Sequence, residues 1–119
     1  MEDGRLHPAP VHADLGAFDG RPWRGAVDCV VGGFPCQPVS CAGKRKGEED
    51  ERWLWPDFAR IVDETDAPLV YVENVPGLLR LGLGSVLRDL AALGFHAEWD
   101  LVAASDVGAP HERERLFLL

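Results

Sequence analysis

The sequence predicts an α/β protein with an open, largely parallel sheet, because short apolar runs of strand length alternate with amphipathic segments of helical period. The runs Val27-Asp28-Cys29-Val30-Val31 and Leu69-Val70-Tyr71-Val72 are nearly continuous in apolar residues, the pattern of strands buried on both faces. At 119 residues the chain holds one domain, 1–119, and a two-domain reading is excluded by length.

The elements follow in order. Residues 1–26 hold three of the nine prolines and no sustained period, so they form an irregular leading segment. The first strand is closed by Gly32-Gly33 and Pro35, and residues 34–52, rich in Gly, Pro and charge, form a long loop of the kind that usually serves function. Leu54, Phe58, Ile61 and Val62 then fall on one face of a helix begun at Pro56, with Arg60, Asp63 and Glu64 on the other. The second strand stops at Glu73-Asn74-Val75-Pro76-Gly77, a turn. Ser85 is expected to cap a helix carrying Val86, Leu87, Leu90 and Leu93, which Gly94 stops. Phe95, Ala97, Trp99, Leu101 and Ala103 alternate with polar residues as in a half-buried strand, and Leu116–Leu119 form a last apolar run.

Composition narrows the function. The formal charge of −8 argues against a protein that coats nucleic acid without regard to sequence, since that affinity comes from Lys and Arg on phosphates. The charge is segregated, however: Lys44-Arg45-Lys46 is followed by Glu48-Glu49-Asp50-Glu51. Three cysteines, Cys29, Cys36 and Cys41, do not make a disulfide framework. With no apolar run of about 18 residues and an acidic start at Met1-Glu2-Asp3, the expected location is the cytoplasm, with no membrane partner.

A strand, a right-handed crossover helix and a parallel strand put both strand C-termini on one sheet edge, where ligands bind in such folds. The loops leaving that edge carry Cys36 and, 37 positions later, Glu73. A thiol beside a carboxylic acid suits addition of sulfur to an electron-poor ring while the acid protonates a ring nitrogen. A cysteine protease needs a histidine base, and His7, His12, His96 and His111 have no claim on Cys36. A zinc deaminase needs His-x-Glu ahead of Pro-Cys-x-x-Cys; here Cys41 lies five positions after Cys36 and His96-Ala97-Glu98 comes later, so no metal is expected.

Gly33-Phe34-Pro35-Cys36-Gln37-Pro38-Val39-Ser40-Cys41-Ala42-Gly43-Lys44 resembles the catalytic loop of DNA cytosine-5 methyltransferases. Glu73-Asn74-Val75-Pro76-Gly77 resembles their glutamate motif, Gly108–Phe117 their later arginine motif, and His12-Ala13-Asp14-Leu15 a short aspartate motif. The resemblance implies a doubly wound, Rossmann-like α/β methyltransferase sheet. It also implies transfer of a methyl group from S-adenosyl-L-methionine to carbon-5 of a cytosine flipped from double-stranded DNA. In that scheme Cys36 attacks carbon-6, Glu73 holds the ring nitrogen and amine, and Arg113 and Arg115 hold the base and its phosphates. Asp14, Pro35 and Leu54 would line the cofactor site, while Gln37, Ser40, Lys44, Arg45 and Asn74 would lie at the DNA, with Lys46 tracking its backbone.

Nothing in residues 1–26 matches the family's glycine-rich cofactor turn, and the sequence-reading domain is not found after the arginine motif, so the sheet is expected to be incomplete. The alternatives are a truncated, inactive remnant, or half of a split enzyme that needs a complementing methyltransferase chain.

Overall fold

The computed structural model describes residues 9–35 and 53–119. Its elements are β1 (Cys29–Gly32), α1 (Trp55–Thr65), β2 (Leu69–Asn74), α2 (Leu78–Leu81), α3 (Leu83–Ala92), β3 (Trp99–Ala103) and β4 (Glu114–Leu118). Single 3-10 turns lie at Arg21–Trp23 and Ala104–Val107. Among the described residues, no helix is long and apolar enough to cross a membrane.

The four strands form one sheet in the order β1-β2-β4-β3. β1 and β2 are parallel, with Val30 opposite Val70, whereas β4 runs antiparallel to both of its neighbours. The final run is thus a strand, but a returning one. Residues 104–113 are too few for a crossover, which takes a dozen or more, so the chain turns back beside β3 and fills the place next to β2. β1, β2 and β3 still share one direction, and their C-terminal ends share one edge with the start of β4.

Side chains alternate across the sheet. Val70 and Val72 of β2 and Leu116 and Leu118 of β4 face α1 and α3, where they join Trp55, Phe58, Val62, Leu78, Val86 and Leu90 in one buried cluster. Cys29, Val31, Leu69, Tyr71, Glu73, Val102, Arg115 and Phe117 face the other way. Both long helices cover the same face because both crossovers step in the same direction across the sheet, and a fixed hand then gives a fixed side.

α1 has Pro56 in its first turn, and it buries the predicted stripe of Phe58, Ile61 and Val62. α3 ends where expected: Gly94 has φ +91°, its N–H donates to the Ala91 carbonyl, and the Phe95 N–H donates to that of Leu90, a Schellman closure. Its start differs, because Gly82 rather than Ser85 occupies the cap, and Ser85 lies inside the helix with its Oγ accepting from Arg88 Nη2. Burying Leu83, worth about 1.5–3 kcal/mol, outweighs a cap worth about 1 kcal/mol. The last parallel strand also begins late, at Trp99, since Phe95 and Ala97 pack on the core before the ladder starts. Trp99 is half exposed there, with β3 the terminal strand on its side of the described sheet.

Candidate active site

The shared C-terminal edge brings two of the predicted residues into contact. Glu73, next to last in β2, sits opposite Phe117 of β4, and Arg115 lies two residues earlier on the same face of that strand. Arg115 Nε donates to Glu73 Oε1 at 2.8 Å, and its Nη1 donates to the Glu114 carbonyl at 2.8 Å. The pair is open to solvent on one side, with the Glu73 side chain 41% exposed and that of Arg115 25%. One carboxylate oxygen is thus held by the guanidinium while the other, Oε2, faces the segment leaving β1. A Cβ added at Gly33 would lie 3.1 Å from it.

That segment is fixed by two devices. Asn74 Nδ2 donates to the Phe34 carbonyl at 3.4 Å, and Asn74 Oδ1 accepts from the Val75 N–H at 2.9 Å. The Phe34 ring meets Trp53 edge to face at 5.2 Å and packs beside Trp55 and Phe58, so Phe34 and Trp53 are drawn together on either side of residues 36–52. Edge-to-face pairs of this kind add about 0.5–1.5 kcal/mol beyond area burial. The resemblance puts Asn74 at the DNA; here it is 2% exposed, with its amide engaged inside the chain, so its observed work is to hold the β1 exit against β2.

Beside this edge lies an open cleft of about 390 Å³, lined by the β1 exit from Val30 to Pro35, by Leu54, Phe58 and Ile61, and by His12, Leu15 and Phe18. Pro35 and Leu54 stand in its wall. Asp14 does not line it: the carboxylate accepts from the Gly16 N–H at 2.9 Å in a local turn on the leading segment. His12 and Phe18 contact edge to face at 4.7 Å.

The leading segment keeps its place through α1. Arg60 donates to the Phe18 carbonyl at 2.8 Å, to that of Leu15 at 3.0 Å and to the Glu64 carboxylate, which also accepts from the Gly20 N–H at 2.7 Å. The Gly20 N–H, with Arg60 second, holds the Glu64 carboxyl below its usual range, and Glu64 in turn raises the guanidinium of Arg60. Nearby, the Arg21 side chain draws Asp19 down to about 2.

Arg113 is exposed in the β3–β4 connection, where its carbonyl accepts from the Ala104 N–H at 3.1 Å. Cys36, Gln37, Ser40, Lys44, Arg45 and Lys46 lie outside the described residues. Gly33 and His12 stand in the motifs quoted above but were given no role of their own, and sequence reading missed Phe18 and Arg60 as parts of this neighbourhood. Of these two, Arg60 left a signal, the Arg60–Glu64 pair at i, i+4. Among the described residues no group of three or more His, Cys, Asp or Glu side chains is placed to hold a metal ion.

Comparison with known proteins gives concordant matches. The family model described as C-5 cytosine-specific DNA methylase matches residues 6–119. The type II methyltransferase M.NgoMIV of Neisseria gonorrhoeae is 35% identical over 113 residues, which are 92% of this chain and 36% of that protein. M.Eco47II of Escherichia coli is 37% identical over 115 residues, 92% of this chain and 28% of its own length. Among solved structures, the Schizosaccharomyces pombe Dnmt2 methyltransferase superposes with a TM-score of 0.69 over 91% of this chain and 35% of that one, at 16% identity, a likeness of fold. The chain therefore spans about a third of the length of these relatives or less.

Proposed function

The chain belongs to the C-5 cytosine-specific DNA methylases, and from that premise we propose that it carries the nucleophile and acid of a DNA (cytosine-5-)-methyltransferase acting in the cytoplasm on double-stranded DNA. The observation that carries this reading is the Glu73–Arg115 pair, set beside the chain segment that leads into Cys36.

The target cytosine must leave the stack, since its ring faces are covered in the duplex. The Cys36 thiolate then adds to carbon-6 as Glu73, entering the step with a proton on its carboxyl group, gives that proton to ring nitrogen-3, so that no full charge builds on the ring. Carbon-5 becomes nucleophilic. Once it carries the methyl group, loss of its proton to solvent, departure of the Cys36 sulfur and return of the nitrogen-3 proton to Glu73 restore the aromatic ring. Arg115 orients the Glu73 carboxylate through the Nε contact, and the exposed Arg113 is available to a phosphate.

S-adenosyl-L-methionine supplies an electrophilic methyl group when bound. The cleft fits its nucleoside part: it is apolar, lies beside the Gly32-Gly33 backbone, and falls within the about 300–1,000 Å³ usual for small-molecule sites. Leu15, Leu54 and Pro35 would hold that part, with His12 and Phe18 as an aromatic side. The loop residues Gln37, Ser40, Lys44 and Arg45 complete the proposed contacts to DNA, while Asp14, engaged in its local turn outside the cleft, is left without a cofactor role.

The test is incubation with labelled S-adenosyl-L-methionine and DNA containing 5-fluorocytosine, which traps the thiol adduct because fluorine does not leave as a proton does. A labelled covalent complex that Cys36→Ser abolishes is expected. A complex that persists in Cys36→Ser rejects the assignment of the nucleophile.

A further inference from the structure

Most of the arginines among the described residues are engaged within the chain. Arg21 holds Asp19, Arg24 the last turn of α1, Arg60 the leading segment, Arg88 the Ser85 Oγ, and Arg115 the Glu73 carboxylate. Arg80 and Arg113 are exposed, and neither side chain reaches an acceptor among the described residues. Both belong to connections at the C-terminal edge of the sheet. Arg80 lies on α2, between the β2 turn and the start of α3, and Arg113 directly precedes β4. A duplex that delivers a cytosine to Glu73 has to approach this same edge.

The two cations differ in what surrounds them along the chain. Arg113 stands between Glu112 and Glu114, whose charges offset its own. Residues 74–88, by contrast, hold no Asp or Glu, although the chain has 20, so the segment carrying Arg80 sets no negative charge against it. The next acid, Asp89, is engaged by Trp55 Nε1.

Packing holds α2 in place at the rim. Leu78 is fully buried, and Gly82, just past the end of α2, is pressed onto Trp53: a Cβ added there would lie 2.5 Å from Trp53 Cη2 and 3.1 Å from Leu78 Cδ1. Trp53 in turn meets Phe34 at the β1 exit. The helix turn is thus seated on the same aromatic group that sets the wall of the site, with Leu79 and Arg80 left on its outer side. A guanidinium carried on such a seat suits a phosphate, to which it can present two parallel N–H donors.

We propose that α2 is a DNA-backbone contact in which the Arg80 guanidinium binds a phosphate near the target cytosine. The ligand rests on the methyltransferase reading. The choice of residue rests on the missing acceptor of Arg80, its acid-free segment and the seat of α2.

The experiment is binding of a labelled mixed-sequence duplex to the full chain, followed by fluorescence anisotropy over a range of salt concentrations. Arg80→Gln is expected to reduce the slope of log K against log salt by about 0.9, the share of one phosphate contact, and so to weaken binding about tenfold at about 0.1 M salt. Arg80→Lys keeps the charge and should restore the slope. Arg24→Gln removes the same charge at the opposite edge, where Arg24 holds the end of α1, and should leave the slope unchanged. An unchanged slope in Arg80→Gln, or an equal loss in Arg24→Gln, overturns the proposal while leaving the DNA reading in place. A native chain that binds no duplex at low salt overturns the DNA reading and the proposal with it.

Discussion

Replacing Arg115 by Met separates positioning from stability. The ion pair to Glu73 is short, 2.8 Å, and two unit charges at that distance attract by about 1.5 kcal/mol in bulk water and about 6 kcal/mol at an effective dielectric of 20. Both side chains are part exposed, however, so ordering entropy and salt screening reduce such pairs to about 0.2–1 kcal/mol in practice. Arg115→Met keeps the aliphatic stem and should therefore lower the unfolding midpoint by less than about 5 °C. A double-mutant cycle with Glu73→Gln should give a coupling of at most about 1 kcal/mol. Methyl transfer should instead fall about 100-fold or more, the scale on which a positioned acid contributes. Chemical denaturation and single-turnover transfer to DNA from labelled cofactor measure the two effects on the same samples. A stability loss above about 2 kcal/mol with the rate unchanged would refute the reasoning, because the pair would then be a structural clasp with no part in holding the acid.

Arg60→Ala should free the leading segment from α1, seen as faster proteolysis between residues 12 and 25 and weaker cofactor binding, since Phe18 and Leu15 lose their carbonyl partner. Acid should act on the same anchor. Glu64 is held below its ordinary range, so its contribution is present above the unfolded carboxylate range and is lost as pH falls through the lowered folded value; Glu64→Gln should flatten that part of the pH–stability curve. Gly33→Val should leave the unfolding midpoint within a few degrees but cut methyl transfer, because its side chain would press on Glu73 Oε2. Trp55→Phe removes the 2.8 Å bond from Nε1 to Asp89 Oδ2 that ties α1 to α3, and should cost about 1.5–3 kcal/mol, with a smaller loss in Asp89→Asn, which keeps an acceptor.

The parts of the fold legible in the sequence were those set by local periodicity. Phe58, Ile61 and Val62 declared the buried side of α1, and Leu69–Val72 declared β2, because a stripe or a run needs no knowledge of the partner. The direction of β4 was not legible. Leu116, Phe117 and Leu118 are apolar whichever way they run, and only the shortness of residues 104–113 forces the return. Glu73 was readable from its motif, but its contact with Arg115 depends on that same return, since it is β4 that carries Arg115 to the strand beside β2. The contact of Asn74 with the Phe34 carbonyl was not legible for a related reason, since it depends on how the β1 exit folds back against β2.

The returning strand also explains why one strand end can gather so much chemistry. A purely parallel arrangement would place next to β2 a strand that ends at this edge, with its loop departing. β4 instead begins here, so Arg115 enters the ladder beside Glu73 while residues 104–113, with Arg113, stay on the rim above it. The acid is thus braced from the β4 side by a strand and approached from the β1 side by a glycine, and neither contact consumes both of its oxygens. A carboxyl group so held keeps one oxygen, Oε2, turned toward the β1 exit at Gly33.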